Sequence, residues 1–197
     1  HRWSADSHRI TNFYDPNPGH SAWVIHTTDS GLTYGAQAYL PHVINCLSVI
    51  GLSTAAALVL YCDYDSQDAT TGLKAMVLTL TGDNVTENAG TLLKHANVTA
   101  GQLVDLGAGR SEYGVIYEES GAVYVRTAGV VGTTVVDGGN QVSIGSYTLE
   151  NADIYAANSV IVAMQGASSD GYYVLLGASF DLTTSAGAIP GAILETS

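Results

Sequence analysis

Short runs rich in Val, Ile, Leu, Thr and Tyr follow one another along this chain, separated by Gly, Asn, Asp and Ser. That punctuation belongs to strands joined by turns; a helix would repeat its apolar positions every three to four residues. The pattern predicts strands near 22–28, 33–39, 42–50, 55–62, 74–81, 113–118, 122–127, 130–136, 141–148, 158–165 and 172–180. Three joints carry explicit turn chemistry. A two-residue Ser120-Gly121 loop would set Tyr117 opposite Tyr124 and Ile116 opposite Val125, while Asp170-Gly171 and Asp137-Gly138-Gly139-Asn140 supply residues that tolerate positive φ. Helix signals are thin: Thr99 with Gln102 could cap a turn over 100–106, and 150–157 offers another, but neither sustains helical periodicity. So many strands with antiparallel joints predict an all-β fold, an antiparallel β-sandwich of two packed sheets or its jelly-roll form, with a barrel as the runner-up. No internal repeat or low-complexity linker divides the chain, so residues 1–197 are expected to form a single domain.

The two ends differ from the middle. Residues 1–21 hold the Asp15-Pro16-Asn17-Pro18-Gly19 turn, Trp3 and two of the four Arg, and read as an irregular N-terminal arm. The chain opens at His1 with no initiator Met and no charged-then-apolar leader, which suggests a leader removed or a fragment excised. Residues 183–197 read as an extended C-terminal tail, small and apolar through Ala186-Gly187-Ala188-Ile189-Pro190. Such a tail can add as a strand to a neighbour's sheet or close its own.

Charge narrows the function. Asp and Glu number 18 against 6 Lys and Arg, a net charge of −12, so no basic surface exists to displace counterions from nucleic acid. Charged residues make up 12% of the chain, about half the usual share, and leave a surface built from hydroxyls, amides, Gly and Ala. A surface so poor in charge is a solubility liability for a lone molecule and is natural where neighbouring subunits or glycans cover it. Lys74 and Lys94 are the only lysines, so few are available to guard sheet edges against pairing. The longest apolar stretch, Ala55 to Tyr61, falls far short of the roughly 20 residues of a membrane helix, and no membrane insertion is expected.

Candidate chemistry is sparse. Cys46 and Cys62 sit in neighbouring strand-like runs; a hairpin turning near 51–54 would bring them face to face as a disulfide, and buried thiols are the alternative. Asp63, Asp65 and Asp68 follow a strong strand and could converge on calcium, although the spacing is not that of an EF-hand. Asn84-Val85-Thr86 and Asn97-Val98-Thr99 are glycan acceptor sequons, with Asn84 and Asn97 as the attachment points. Tyr113, Tyr117 and Tyr124 would share one face of the central hairpin with Arg126 beside them, either as a recognition face or as cross-strand pairs holding the sheet. No nucleophile elbow, zinc-binding H-E-x-x-H or phosphate-cradling glycine loop occurs, and Glu118 and Glu119 are adjacent strand residues that point to opposite faces.

The texture, rich in Thr, Gly, Ala and Val and poor in Lys, resembles that of phage tail and capsid components and of secreted filament subunits. The expectation is a non-enzymatic structural protein that self-assembles in a virion, as a capsid decoration, tail or fibre component. A pilus or surface-filament subunit joined by β-strand donation is one alternative, and a secreted carbohydrate-binding module another. Expected partners are copies of itself, neighbouring structural subunits and glycans, at an extracellular or virion location, with no cofactor beyond calcium.

Overall fold

The computed structural model describes residues 8–15, 19–28, 33–40, 45–64, 71–81, 84–106, 112–156, 159–167, 171–177 and 189–190. All regular structure among them is β. The first sheet holds β1 (His8–Asp15), β2 (Gly19–Thr28) and β3 (Thr33–Leu40), in that order. The second holds β4 (Asn45–Ser53), β5 (Ala56–Tyr64), β6 (Thr71–Thr81) and β7 (Asn84–Glu87), with β8 (Thr91–His95) also paired to β6. The third runs β12 (Thr134–Gly145), β11 (Ala122–Val131), β10 (Glu112–Glu119), β9 (Val98–Asp105); the fourth runs β13 (Thr148–Ala156), β14 (Ser159–Gln165), β15 (Gly171–Gly177), β16 (Ile189–Pro190). Sheet neighbours are sequence neighbours throughout, apart from β8, and the registers are antiparallel. The long return crossing that a jelly roll requires is not found among the described strands.

Two compact units emerge: His1–Asn97 with Val131–Val135, and Val98–Val130 with Val136–Ser197. In the first, β5 and β6 are buried on both faces. Ala57, Val59 and Tyr61 with Met76 and Leu78 face one way and join Leu40 and Cys46 in a core; Leu58, Leu60 and Cys62 with Leu73, Ala75 and Val77 face the other and are buried as well. Burial on both faces explains why Ala56 to Cys62 reads as an unbroken apolar run instead of an alternating one. In the second unit, Val104, Ile116, Val123 and Val125 of the third sheet, with Leu106 just beyond β9, pack on Leu149, Val160, Val162, Met164 and Val174 of the fourth. Side chains tie the two layers at the rim: Glu118 Oε2 accepts from Leu149 N at 2.9 Å, and Gln102 Nε2 donates to Asn151 Oδ1 at 2.8 Å while its Oε1 accepts from Ala152 N. The outer edge of β13 is thereby capped by side chains, and a register shift between Leu149 and Asn151 bends it.

The Ser120-Gly121 turn forms as read, with φ of 53° and 74°, the mirror-image turn that matches strand twist, and Tyr117↔Tyr124 and Ile116↔Val125 are in register. Elsewhere the pattern misled. Residues 1–21 are not an irregular arm throughout: Ile10, Thr11, Phe13 and Tyr14 suit a strand, and β1 pairs with β2 from His8↔His26 to Asp15↔Gly19. Asp137-Gly138-Gly139-Asn140 is no turn but the middle of β12; the chain reverses at Gly132-Thr133, and the Asp137 carboxylate accepts from Gly139 N at 3.0 Å. Residues 100–106 and 150–157, weighed as helical turns, fall largely in β9 and β13. Within the tail 183–197, Ile189 and Pro190 pair with Leu175 and Val174 of the same chain; the remainder of that tail, and the Asp170 turn residue, lie outside the described residues.

Candidate functional site

One edge of β6 is shared by two short strands, and that division creates a cavity. β7 pairs with Leu78–Thr81 and β8 with Gly72–Ala75, leaving a gap at Met76 and Val77 that the connection Asn88-Ala89-Gly90 spans. Asn88 anchors the span: its backbone N donates to Val77 O at 3.2 Å and its Nδ2 to the same oxygen at 2.8 Å, with Thr79 Oγ1 at 3.5 Å. The Asn88 amide nitrogen is thus turned toward the sheet. Tyr61 stands opposite Lys74 and Glu87 opposite Leu78, so Tyr61, Lys74, Met76 and Glu87 rise from one face of the sheet. Together with Asn88, Ala89 and Gly90 they line a cavity of about 300 Å³. Gly90 closes over the Tyr61 hydroxyl so tightly that a Cβ at that position would overlap it. The lining therefore combines the buried core side chains of Tyr61 and Met76 with the polar side chains of Lys74, Glu87 and Asn88.

None of these residues was singled out as a site from the sequence. The local signals were weak, an Asn-Ala-Gly step after a four-residue strand, and the gap on β6 exists only once β7 and β8 have paired.

The tyrosine face is assembled as expected, but most of it turns inward. Tyr113, Val115 and Tyr117 share a face with Tyr124, Arg126 and Ala128, and Tyr117 stacks on Tyr124 with centroids 5.6 Å apart and planes at 25°. Tyr117 is fully buried and Arg126 is 4% exposed, which removes both from any solvent-facing recognition surface; Tyr113 and Tyr124 are half-buried. Arg126 is ion-paired to Asp137 of β12. Burial pushes the Tyr117 hydroxyl up to about 12, with Arg126 beside it pulling the other way and Glu119 and Tyr124 adding to the rise. Tyr113 is raised by burial and by Asp105, its cross-strand neighbour.

The cysteines are both buried thiols, the alternative to a Cys46–Cys62 disulfide. β4 and β5 turn at Thr54-Ala55, with Ser53 Oγ accepting from Ala55 N at 3.1 Å, and the register sets Cys62 opposite Asn45 and Cys46 opposite Tyr61. A one-residue offset sends the two side chains to opposite faces. Burial raises Cys46 to about 12 and Cys62 to about 11, so neither is a thiolate at neutral pH. Of the calcium candidates, Asp63 lies near the end of β5 and Asp65 and Asp68 lie outside the described residues; among the described residues no cluster of three His, Cys, Asp or Glu is placed to hold a metal. Asn84 and Asn97, the sequon positions, are both exposed. No helix among the described residues is long and apolar enough to cross a membrane.

No protein-family model matches the sequence, and no curated protein does. Among solved structures the chain is similar to a fungal lectin, that of Aleuria aurantia, described as a six-bladed β-propeller with a novel mode of fucose recognition. The identity is 12% and the TM-score 0.47, with 96% of this chain and 62% of that one covered, so the chain spans under two thirds of the lectin's length.

Proposed function

We propose that this protein is a non-enzymatic structural or adhesive component of an extracellular or virion assembly, built to contact copies of itself. The observation that carries the reading is β12. It is an end strand of its sheet, exposed along most of its length, holds neither Lys nor Pro, and presents Val136 at 48% exposure, with Val131 at 68% on the adjoining strand. An edge so little defended pairs readily with another chain. The two-layer packing of the second unit supports a β-sandwich there. Strand donation by the tail is the narrower form of the idea, and the pairing of Ile189-Pro190 with β15 offers it no support.

Electron microscopy of native material is the direct test, followed by sedimentation of Val136→Lys. Ordered particles or filaments that disperse in the variant, with an unchanged far-ultraviolet spectrum, support the reading; a monomer at all concentrations sinks it. Deleting residues 1–20 would be a poor test, because it removes β1 from its sheet.

A second reading, a carbohydrate-binding module, is favoured by the cavity beside β6, whose mixed apolar and hydrogen-bonding lining suits a small polar ligand.

A further inference from the structure

We infer that the second half of β12, residues 141–144, pairs antiparallel with the same residues of a second copy of this chain, about a two-fold axis at Val142. This rests on the self-association reading above and narrows it to one contact.

The edges of the second unit leave few places for such pairing. β9 and β13 are end strands that hold each other, through Gln102 on Asn151 and Ala152, and β16 is two residues long. β12 is the remaining end strand, and no described strand pairs with its outer edge. Its first half is guarded by side chains: Val135 O accepts from Thr91 Oγ1 of β8 at 2.7 Å, and Gly139 N donates to the Asp137 carboxylate at 3.0 Å. Gly139 also has a φ of 79°, which breaks an extended ladder. Between it and Gly145, the next glycine at positive φ, lies a stretch centred on Val142.

That stretch is self-complementary. Gln141 and Ser143 are exposed, whereas Val142 and Ile144 are half-buried, and Ile144 packs on the core of the unit. Antiparallel residues that stand directly opposite share a face of the sheet. An axis at Val142 therefore sets Gln141 against Ser143 of the second copy and Val142 against its own equivalent. Amide meets hydroxyl on one face and valine meets valine on the other, while a one-residue slip would set each polar side chain against an apolar one. Charge points to the same place. Each copy carries a net charge of −12 and repels another wherever carboxylates meet, but residues 138–149 hold no charged side chain. A two-fold contact uses the same patch on both copies and closes at two, so the product is a dimer. Past the axis the second chain runs on toward Val136, so a lysine there acts on the same contact from its end.

Sedimentation equilibrium of the full chain at low salt tests this with two double variants, Gln141→Lys with Ser143→Lys and Gln141→Lys with Ser143→Glu. Both positions are exposed, and circular dichroism verifies that each variant keeps the wild-type spectrum. In the antiparallel dimer the first variant sets lysine against lysine twice, and the second sets lysine against glutamate twice. The expected result is a wild-type dimer, association weakened tenfold or more in the lysine–lysine variant, and association at least as tight as wild type in the lysine–glutamate variant, with any gain lost at high salt. A wild type that associates, with both variants matching it, overturns this contact and leaves the self-association reading in place. Equal weakening of both variants overturns the antiparallel register, because parallel pairing would set like charges together in each. A wild-type monomer at all concentrations overturns this contact and the reading together.

Discussion

Two hairpins of similar strand length behave differently in this chain. In β10–β11 the register follows directly from the turn: Ser120 and Gly121 both take positive φ, and pairing continues without a break from Glu119↔Ala122 to Glu112↔Gly129. In β4–β5 the turn at Thr54-Ala55 has no such residue, and the register slips twice, between Cys46 and Ser48 and between Gly51 and Ser53. A turn that only one geometry satisfies transmits its register along the strands, whereas a permissive one leaves register to core packing. The first hairpin carries an ion pair of the buried Arg126 with the part-exposed Asp137 on its β11 side; the second is marked by a run of buried apolar side chains along β5.

The largest expected effects come from breaking what each hairpin depends on. Leu60→Ala removes a fully buried side chain from β5 and should cost about 2–5 kcal/mol, transfer and cavity together. Asp137→Ala leaves the Arg126 guanidinium without its carboxylate in a buried setting, a loss of about 3–5 kcal/mol. The low end is expected, because the Asp137 side chain is 33% exposed and water can partly replace it. The double change Arg126→Met with Asp137→Leu should recover most of that loss, since no uncompensated charge remains. Urea unfolding of the three proteins measures all of this, and an Asp137→Ala chain as stable as wild type would show that the ion pair is incidental.

Alkaline pH separates the hairpins next. Cys46 is raised from 9 to about 12 and Cys62 to about 11, and Tyr117 from 10 to about 12, each by burial first. Each group is neutral below its unfolded value and is held neutral longer in the folded chain. Their contribution is therefore complete below pH 9 for the thiols and below pH 10 for the tyrosine, and is lost as pH rises through the folded values. Stability should begin to fall near pH 9 in wild type, near pH 10 in Cys46→Ala/Cys62→Ala, and should fall less steeply above pH 10 in Tyr117→Phe. In the native state at pH 8 neither thiol should react with iodoacetamide; both should after denaturation, without reductant. A mass showing a disulfide would refute the register of β4 on β5.

How much of this was legible in the sequence follows the same division. The longer apolar strands were readable because β-branched and aromatic runs between turn residues have few other uses, and the β10–β11 register because Ser-Gly favours a tight turn; β1, β7, β8, β9 and β13, more polar in sequence, were not. The cysteine pairing was not, because nothing in Gly51-Leu52-Ser53-Thr54-Ala55 says which residues turn and which bulge. Asp137-Gly138-Gly139-Asn140 misled for a related reason: its Asp serves a buried Arg from an adjacent strand, a partner that no local pattern reveals. Gly138 lies hard against the Thr127 backbone, where a Cβ would sit 2.7 Å from the carbonyl oxygen, so that glycine answers to close strand approach and not to a turn. The cavity was the least legible feature. It depends on where β7 stops and β8 starts along β6, and both are set by tertiary pairing.

The smaller effects test whether turn chemistry governs register. Gly121 has φ of 74° and open space around the position of a Cβ, so Gly121→Ala introduces backbone strain with no clash and should cost about 1–2 kcal/mol. The converse substitution acts on Ser120, the only non-glycine at positive φ among the described residues, with φ of 53°. Asn adopts that conformation more readily than Ser, and Asn-Gly is the preferred pair for this turn. Ser120→Asn should therefore raise the unfolding free energy by about a few tenths of a kcal/mol, within the usual range for an exposed surface substitution. The gain should vanish when Gly121→Ala is already present, because the turn then no longer holds the geometry that Asn favours. Equal gains in both backgrounds would mean that the β10–β11 register is set by its buried strands, as in β4–β5, and that the turn merely accommodates it.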